Sequence, residues 1–147
     1  GSLRPPARFP DDPPMPTQSR DTASDALAPS LDRALAAARV AEETRGTDVR
    51  VLDLRGVTPV FDYFVVATGS SRRQIHAMAD EIEKVMKRQW HDLKRGSEGY
   101  EEGRWIVLDY GDVVVQLFDA DARAYWDIEH LWGDARTVPL PGAGATS

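Results

Sequence analysis

The sequence predicts a small α/β domain, a mixed β-sheet packed with helices, on three observations. Segments with a 3.6-residue apolar period alternate with short β-type runs, and two of those runs are joined by the turn dipeptide Gly111-Asp112. The third is size: 147 residues with 41% hydrophobic content suffice for one core. The domain is expected over residues 30–133. Before it, residues 1–29 hold seven of the ten prolines among Asp, Ser, Thr and Arg, the composition of a disordered segment. Gly1-Ser2 without a methionine reads as a cleavage scar and Met15 as a candidate native start, which would make residues 1–14 vector-derived. Residues 134–147, with Pro139, Pro141, Gly142 and Gly144, are expected to form a mobile tail.

The first helix should start with Ser30 as N-cap and run to about Arg45-Gly46, with Leu31, Ala34, Leu35 and Ala38 as its core stripe. Val49 to Leu54 reads as a strand. Phe61 to Thr68 reads as a second, and its continuous apolar run predicts burial on both faces, with Gly56 and Pro59 in the connection. Ser71 and Gln74 have capping-box spacing at the head of the clearest helix, which carries Ile75, Met78, Ile82, Val85 and Trp90 along one side. A charged, glycine-rich connection over residues 96–103 leads to strands Trp105 to Tyr110 and Val113 to Phe118, a hairpin closed by Gly111-Asp112. The last helix is expected from an Asp119 N-cap through Trp132, with Gly133 as a left-handed C-terminal cap.

Pairing Tyr110 with Val113 sets the hairpin's faces. Ile106, Leu108, Tyr110, Val113, Val115 and Leu117 share one, which is core. The other holds Trp105, Val107, Asp109, Val114, Gln116 and Phe118. This second face is either covered by a helix, as in a doubly covered sheet, or is a partner surface with aromatic anchors. On the last helix, steps of 100° place Ala124, Tyr125, Ile128, Leu131 and Trp132 in one arc and leave Trp126 exposed on the opposite side. Trp105, Asp109, Gln116, Phe118 and Trp126 are therefore the candidate partner-binding residues.

Charge supports a protein partner. Residues 98–134 hold two basic and ten acidic side chains, whereas residues 30–97 hold twelve basic and ten acidic. The acidic stretch repels phosphate backbones and attracts basic surfaces, so no direct nucleic-acid reading is expected. The bland alternative is that these carboxylates only confer solubility. The chain has no cysteine, which removes disulfides, thiolate metal sites and a cysteine nucleophile and suits a reducing compartment. No apolar run approaches the roughly 20 residues of a membrane span, and no signal-peptide order opens the chain. A cytoplasmic protein is expected.

The chemistry-bearing patterns are sparse. Thr68-Gly69-Ser70-Ser71 leaves a buried strand and opens a helix, a geometry that can hold phosphate, but a turn with a capping box explains the same residues. A metal-dependent nucleotidyltransferase would follow such a Gly-Ser turn with paired carboxylates on the next strand, where only Asp109 stands. Asp119 and Asp121 have the spacing, but at a helix start, where carboxylates cap. His76, His91 and His130 have no ligand spacing, and His76 is a poor base for Ser70 or Ser71 because it points outward. No cofactor and no metal site are expected.

Four segments in this order resemble the ribosomal silencing factor family, RsfS or Iojap. They are Val51-Leu52-Asp53-Leu54-Arg55-Gly56, Asp62 through Ser71, Glu102 through Asp112, and Tyr125 through Asp134, and the likeness spans about Leu31 to Pro139. The resemblance implies a fold like that of a catalytically inactive nucleotidyltransferase, and no enzyme activity. It further implies binding to the large ribosomal subunit at ribosomal protein fourteen of the large-subunit series, beside the intersubunit bridges. There the family blocks joining of the small subunit and represses translation, and its free members form homodimers. The positions that match the family pattern most closely are Asp62, Tyr63, Trp105, Asp109, Tyr110, Tyr125, Leu131 and Trp132. Gln116 departs from it, where many relatives carry histidine. A translation repressor is thus the leading expectation, and a nucleotide-binding enzyme of nucleotidyltransferase type, built on Gly69-Ser70 and Asp119/Asp121, is the alternative.

Overall fold

A computed structural model describes residues 28–141. The expectations for residues 1–27, including the candidate start at Met15, lie outside the described residues, as do those for residues 142–147. The elements run α1 (Ser30–Glu43), β1 (Thr47–Asp53), β2 (Tyr63–Gly69), α2 (Arg72–Trp90), β3 (Gly96–Glu98), β4 (Trp105–Asp109), β5 (Val113–Asp119), α3 (Ala120–Trp126), α4 (Ile128–Leu131) and β6 (Arg136–Val138). Among the described residues six strands form one mixed sheet in the order β3-β4-β5-β2-β1-β6. Only β2 and β5 run parallel, joined by the crossover through α2; every other neighbouring pair is antiparallel. Among the described residues no helix is long and apolar enough to cross a membrane.

Two cores sit on opposite faces of the sheet. On the first, Ala34, Ala37, Ala38 and Ala41 of α1 and Ile75, Met78, Ile82 and Met86 of α2 pack on Val65, Ile106, Leu108, Tyr110, Val113, Val115 and Leu117. The alanine stripe lets α1 lie close to the strands, and Gly46 lies so close that a Cβ there would stand 2.7 Å from the Ala41 carbonyl oxygen. On the second, Leu54, Phe61, Phe64, Val66, Trp105, Val107, Val114 and Phe118 meet Ala122 of α3, Ile128 of α4 and Trp132, which closes α4. All seven residues of β2 are buried, as its apolar run requires of a strand covered on both sides.

The hairpin has the predicted register, Trp105 opposite Phe118 and Asp109 opposite Val114. Gly111 at φ 89° takes the first turn position, which a side chain would strain. Ser71 caps α2 by accepting a hydrogen bond from the Gln74 N–H at 3.1 Å. The return half of the box is shifted by one residue: Gln74 Oε1 accepts from the backbone N–H and hydroxyl of Ser70.

Several expectations are corrected. Ser30 is the first helical residue, preceded by Pro29, and its hydroxyl donates to Asp62 at 2.9 Å. Residues 136–138, assigned to a mobile tail, pair as β6 with β1 in the register Val51 opposite Val138. The connection over residues 96–103 contains edge strand β3. The last helix is two helices, because Asp127 adopts the left-handed conformation at φ 46° and ψ 56°, and Trp132, not a left-handed Gly133, closes the second.

A charged group also lies in the interior. Arg33 of α1 is fully buried and donates to Asp92 at 2.8 Å and to both carboxylate oxygens of Asp112 in the hairpin turn. Burial opposes its charge, but the hydrogen bonds to Asp112 and Asp92 prevail and hold the guanidinium above its ordinary value. The cluster ties α1, the end of α2 and the turn of the hairpin together.

Candidate protein-docking site

The hairpin's second face is closed, which corrects its reading as an open partner surface. Trp105, Gln116 and Phe118 are 7%, 0% and 0% exposed, and Asp109 is 9% exposed. Trp105 stacks on Phe118 at 5.1 Å, and Trp126 of α3 lies over Trp105 at 5.0 Å. The Trp105 indole N–H donates to Gln116 Oε1 at 3.0 Å. Asp109 lies at the far end of its strand, where its carboxylate accepts from the Gly111 N–H at 2.8 Å and helps fix the turn. Burial pushes this carboxyl above the ordinary aspartate range, and the Gly111 hydrogen bond only partly offsets the shift. An apolar strand pair of this width would expose too much aromatic surface if bare, so α3 and α4 cover it.

The break at Asp127 exchanges the faces of the last segment. Stepping 100° per residue through position 127 put Tyr125 in the core and Trp126 in solvent; in α3 alone, Ala122, Arg123 and Trp126 turn toward the sheet. Trp126 is half-buried. Tyr125 is 62% exposed and meets Trp126 edge to face at 5.1 Å. Asp121, one turn before Tyr125 and on the same face, is exposed, as are Ala124 and Asp127. The outer ridge is thus an aromatic pair rimmed by carboxylates. Sequence reading missed Tyr125 as a surface residue because no glycine marks the break; aspartate's tolerance of the left-handed conformation was the available signal.

Arg123 fastens this ridge from below. It is 8% exposed and donates to the Thr68 hydroxyl at 2.8 Å and to Glu129 at 2.6 Å, and it lies 3.3 Å from Asp48. Arg50 joins the same carboxylates, 3.0 Å from Asp48 and 3.5 Å from Glu129. The arrangement spans β1, β2, α3 and α4, so both short helices are bound to the sheet by charge as well as by Ile128 and Trp132. At the other end of β1, Asp53 is held by Arg55 at 2.9 Å and Arg136 at 3.4 Å. The Arg55 hydrogen bond lowers its carboxyl to about 2 against the opposing effect of burial.

Most of the groups considered for chemistry have local partners. Asp119 accepts from the Ala122 N–H at 2.7 Å as the α3 N-cap, and Asp121 lies on the exposed ridge. Ser70 and Ser71 are engaged with Gln74. His76 packs on Tyr100 at 4.4 Å and bonds its carbonyl, so it does not face Ser70 or Ser71 as a base. Among the described residues no three of His, Cys, Asp and Glu gather as a metal-ligand group.

Comparison with known proteins gives one answer. The family model described as ribosomal silencing factor during starvation matches residues 28–147. A ribosomal silencing factor of Halalkalibacterium halodurans is 42% identical over 106 residues, covering 72% of this chain and 90% of the relative. The silencing factor of Bacillus subtilis is 40% identical over 104 residues, 71% of this chain and 87% of the relative. The chloroplastic Iojap protein of Zea mays is 31% identical over 129 residues, 88% of this chain and 54% of that protein. A crystal structure of a Chromobacterium violaceum protein matches the fold with a TM-score of 0.70 at 34% identity, covering 78% of this chain and 93% of that one.

Proposed function

The chain belongs to the family of ribosomal silencing factors, and on that premise we propose that it represses translation by occupying the large ribosomal subunit. It docks on ribosomal protein fourteen of the large-subunit series, beside the intersubunit bridges, and blocks entry of the small subunit. The action is occlusion and needs no catalytic group. The observation that carries this reading is the family match over residues 28–147. Two features of the surface support it: an exposed aromatic on α3, and an acidic rim that complements a basic ribosomal protein.

The docking residues follow from the corrected faces. Tyr125 and the accessible edge of Trp126 are the anchors, with Asp121 and Asp127 at the rim. Trp105, Gln116 and Phe118 act beneath them, by holding Trp126 in place, and Asp109 acts through the hairpin turn. A homodimer of the free protein would use the same ridge, so dimer and subunit compete, in whichever compartment holds the ribosomes. Co-sedimentation with isolated large subunits tests the reading. Binding that is lost at high salt and that prevents subunit joining is expected; no binding at moderate ionic strength, or binding without effect on joining, would overturn it.

A further inference from the structure

A second surface, on the side of the sheet away from α3, carries the opposite charge. Residues 84–95 contain Lys84, Lys87, Arg88, Lys94 and Arg95 against a single acid, Asp92. That carboxylate is buried and engaged by Arg33 at 2.8 Å. Lys84, Lys87 and Arg88 stand at i, i+3 and i+4 on α2, all exposed and turned away from the buried Ile75, Met78, Ile82 and Met86. His91 reverses the chain in the left-handed conformation at φ 54°, and Lys94 Nζ reaches back to Glu83 at 2.8 Å. The loop after the helix therefore returns along the flank that carries Lys87. Lys84 lies 4.0 Å from Glu81, whereas no ion pair engages Lys87 or Arg88 among the described residues. One or two cations in the last turn would satisfy the helix dipole. The continuation into Lys94 and Arg95 goes beyond that need.

We propose that this basic end of α2, with the loop that follows it, contacts the phosphodiester backbone of an RNA helix. The proposal rests on the large-subunit reading above, under which that RNA is ribosomal RNA flanking the docked protein. The sheet then separates two complementary contacts, acidic α3 toward a basic protein and basic α2 toward phosphate. A backbone contact fixes orientation without reading bases, so it requires no base-recognition motif in the chain. Such a contact also accounts for a local excess of cations at this end of α2 on a chain whose net charge is −6.

Fluorescence anisotropy of a labelled RNA hairpin of arbitrary sequence, titrated with the full chain at low salt, tests the contact directly. Three proteins are compared: native, the double variant K87E/R88E, and the charge-matched control R39E/R104E, whose arginine side chains are 79% and 65% exposed. The native protein should bind with an affinity that falls steeply with salt. K87E/R88E should lose at least about tenfold and flatten the log–log salt slope by about two, one per phosphate contact, while the control loses less than about threefold. Failure of the native protein to bind the hairpin, or equal losses in both variants, would overturn the proposal. So would loss in K87E/R88E of a salt-sensitive self-association with hairpin binding unchanged, because the basic end would then meet the acidic ridge of a second copy. Hairpin binding as expected, in a protein that does not co-sediment with large subunits, would uphold the RNA contact and sink the large-subunit reading instead.

Discussion

Tyr125 and Trp105 are both aromatic and 20 residues apart, yet they should fail in different assays. Tyr125 is 62% exposed, so Tyr125→Ala should leave the melting temperature within about 2 °C of native and weaken large-subunit binding by about tenfold or more, the cost of a hot-spot aromatic. Trp105 lies between Phe118 and Trp126, and Trp105→Ala should remove about 3–5 kcal/mol of stability in chemical unfolding. Equal loss of stability in the two variants would contradict the corrected faces. Asp112→Ala should cost a similar 3–5 kcal/mol, because it leaves the buried Arg33 guanidinium without its bidentate partner. Asp109 gives a prediction in pH. Its folded-state value is raised, so the folded chain binds that proton more tightly than the unfolded chain does. Its contribution to stability is fully present below the unfolded value of about 3.9 and is lost as pH rises through the folded value. Asp109→Asn keeps an oxygen for the Gly111 N–H without the buried charge. The variant should therefore be at least as stable as native at pH 7, and its relative stability should fall as the pH drops through the raised folded-state value and level off below about pH 4. Urea unfolding at both pH values checks the sign.

At the scale of elements, the break at Asp127 carries the most weight. A left-handed backbone costs a β-branched residue most and glycine nothing, so Asp127→Gly should be close to neutral and Asp127→Val should lose about 1–2 kcal/mol, read from thermal unfolding. The same break explains where the sequence misled. β2, β4, β5 and α2 were legible because each has enough residues to display its period, and Gly111-Asp112 fixed the hairpin register. The α3–α4 segment has the right composition for one helix, and only the local conformation of a single aspartate divides it. β3 and β6 have three residues each, too few for any periodicity, and are made by the neighbours they pair with. Arg33 was invisible as a core residue because its partners stand 59 and 79 positions away.

For the molecule as a whole, the distribution of charge was legible and its placement was not. The acidic balance of residues 98–134 could be counted, but that Asp112 and Asp109 belong to the interior while Asp121 and Asp127 rim an exposed tyrosine required the fold. The resemblance in four ordered segments pointed to the same family as the match over residues 28–147. The docking residues were the weakest part, since alternation assigns residues to a face and cannot tell whether a helix covers it. Occlusion through the α3 ridge is tested most directly by the rate and extent of subunit joining, followed by light scattering with the protein bound beforehand to large subunits. The native chain should suppress joining, and Tyr125→Ala, folded and at the same concentration, should restore it. Joining that proceeds unhindered with native protein bound, or suppression that survives Tyr125→Ala undiminished, would contradict it.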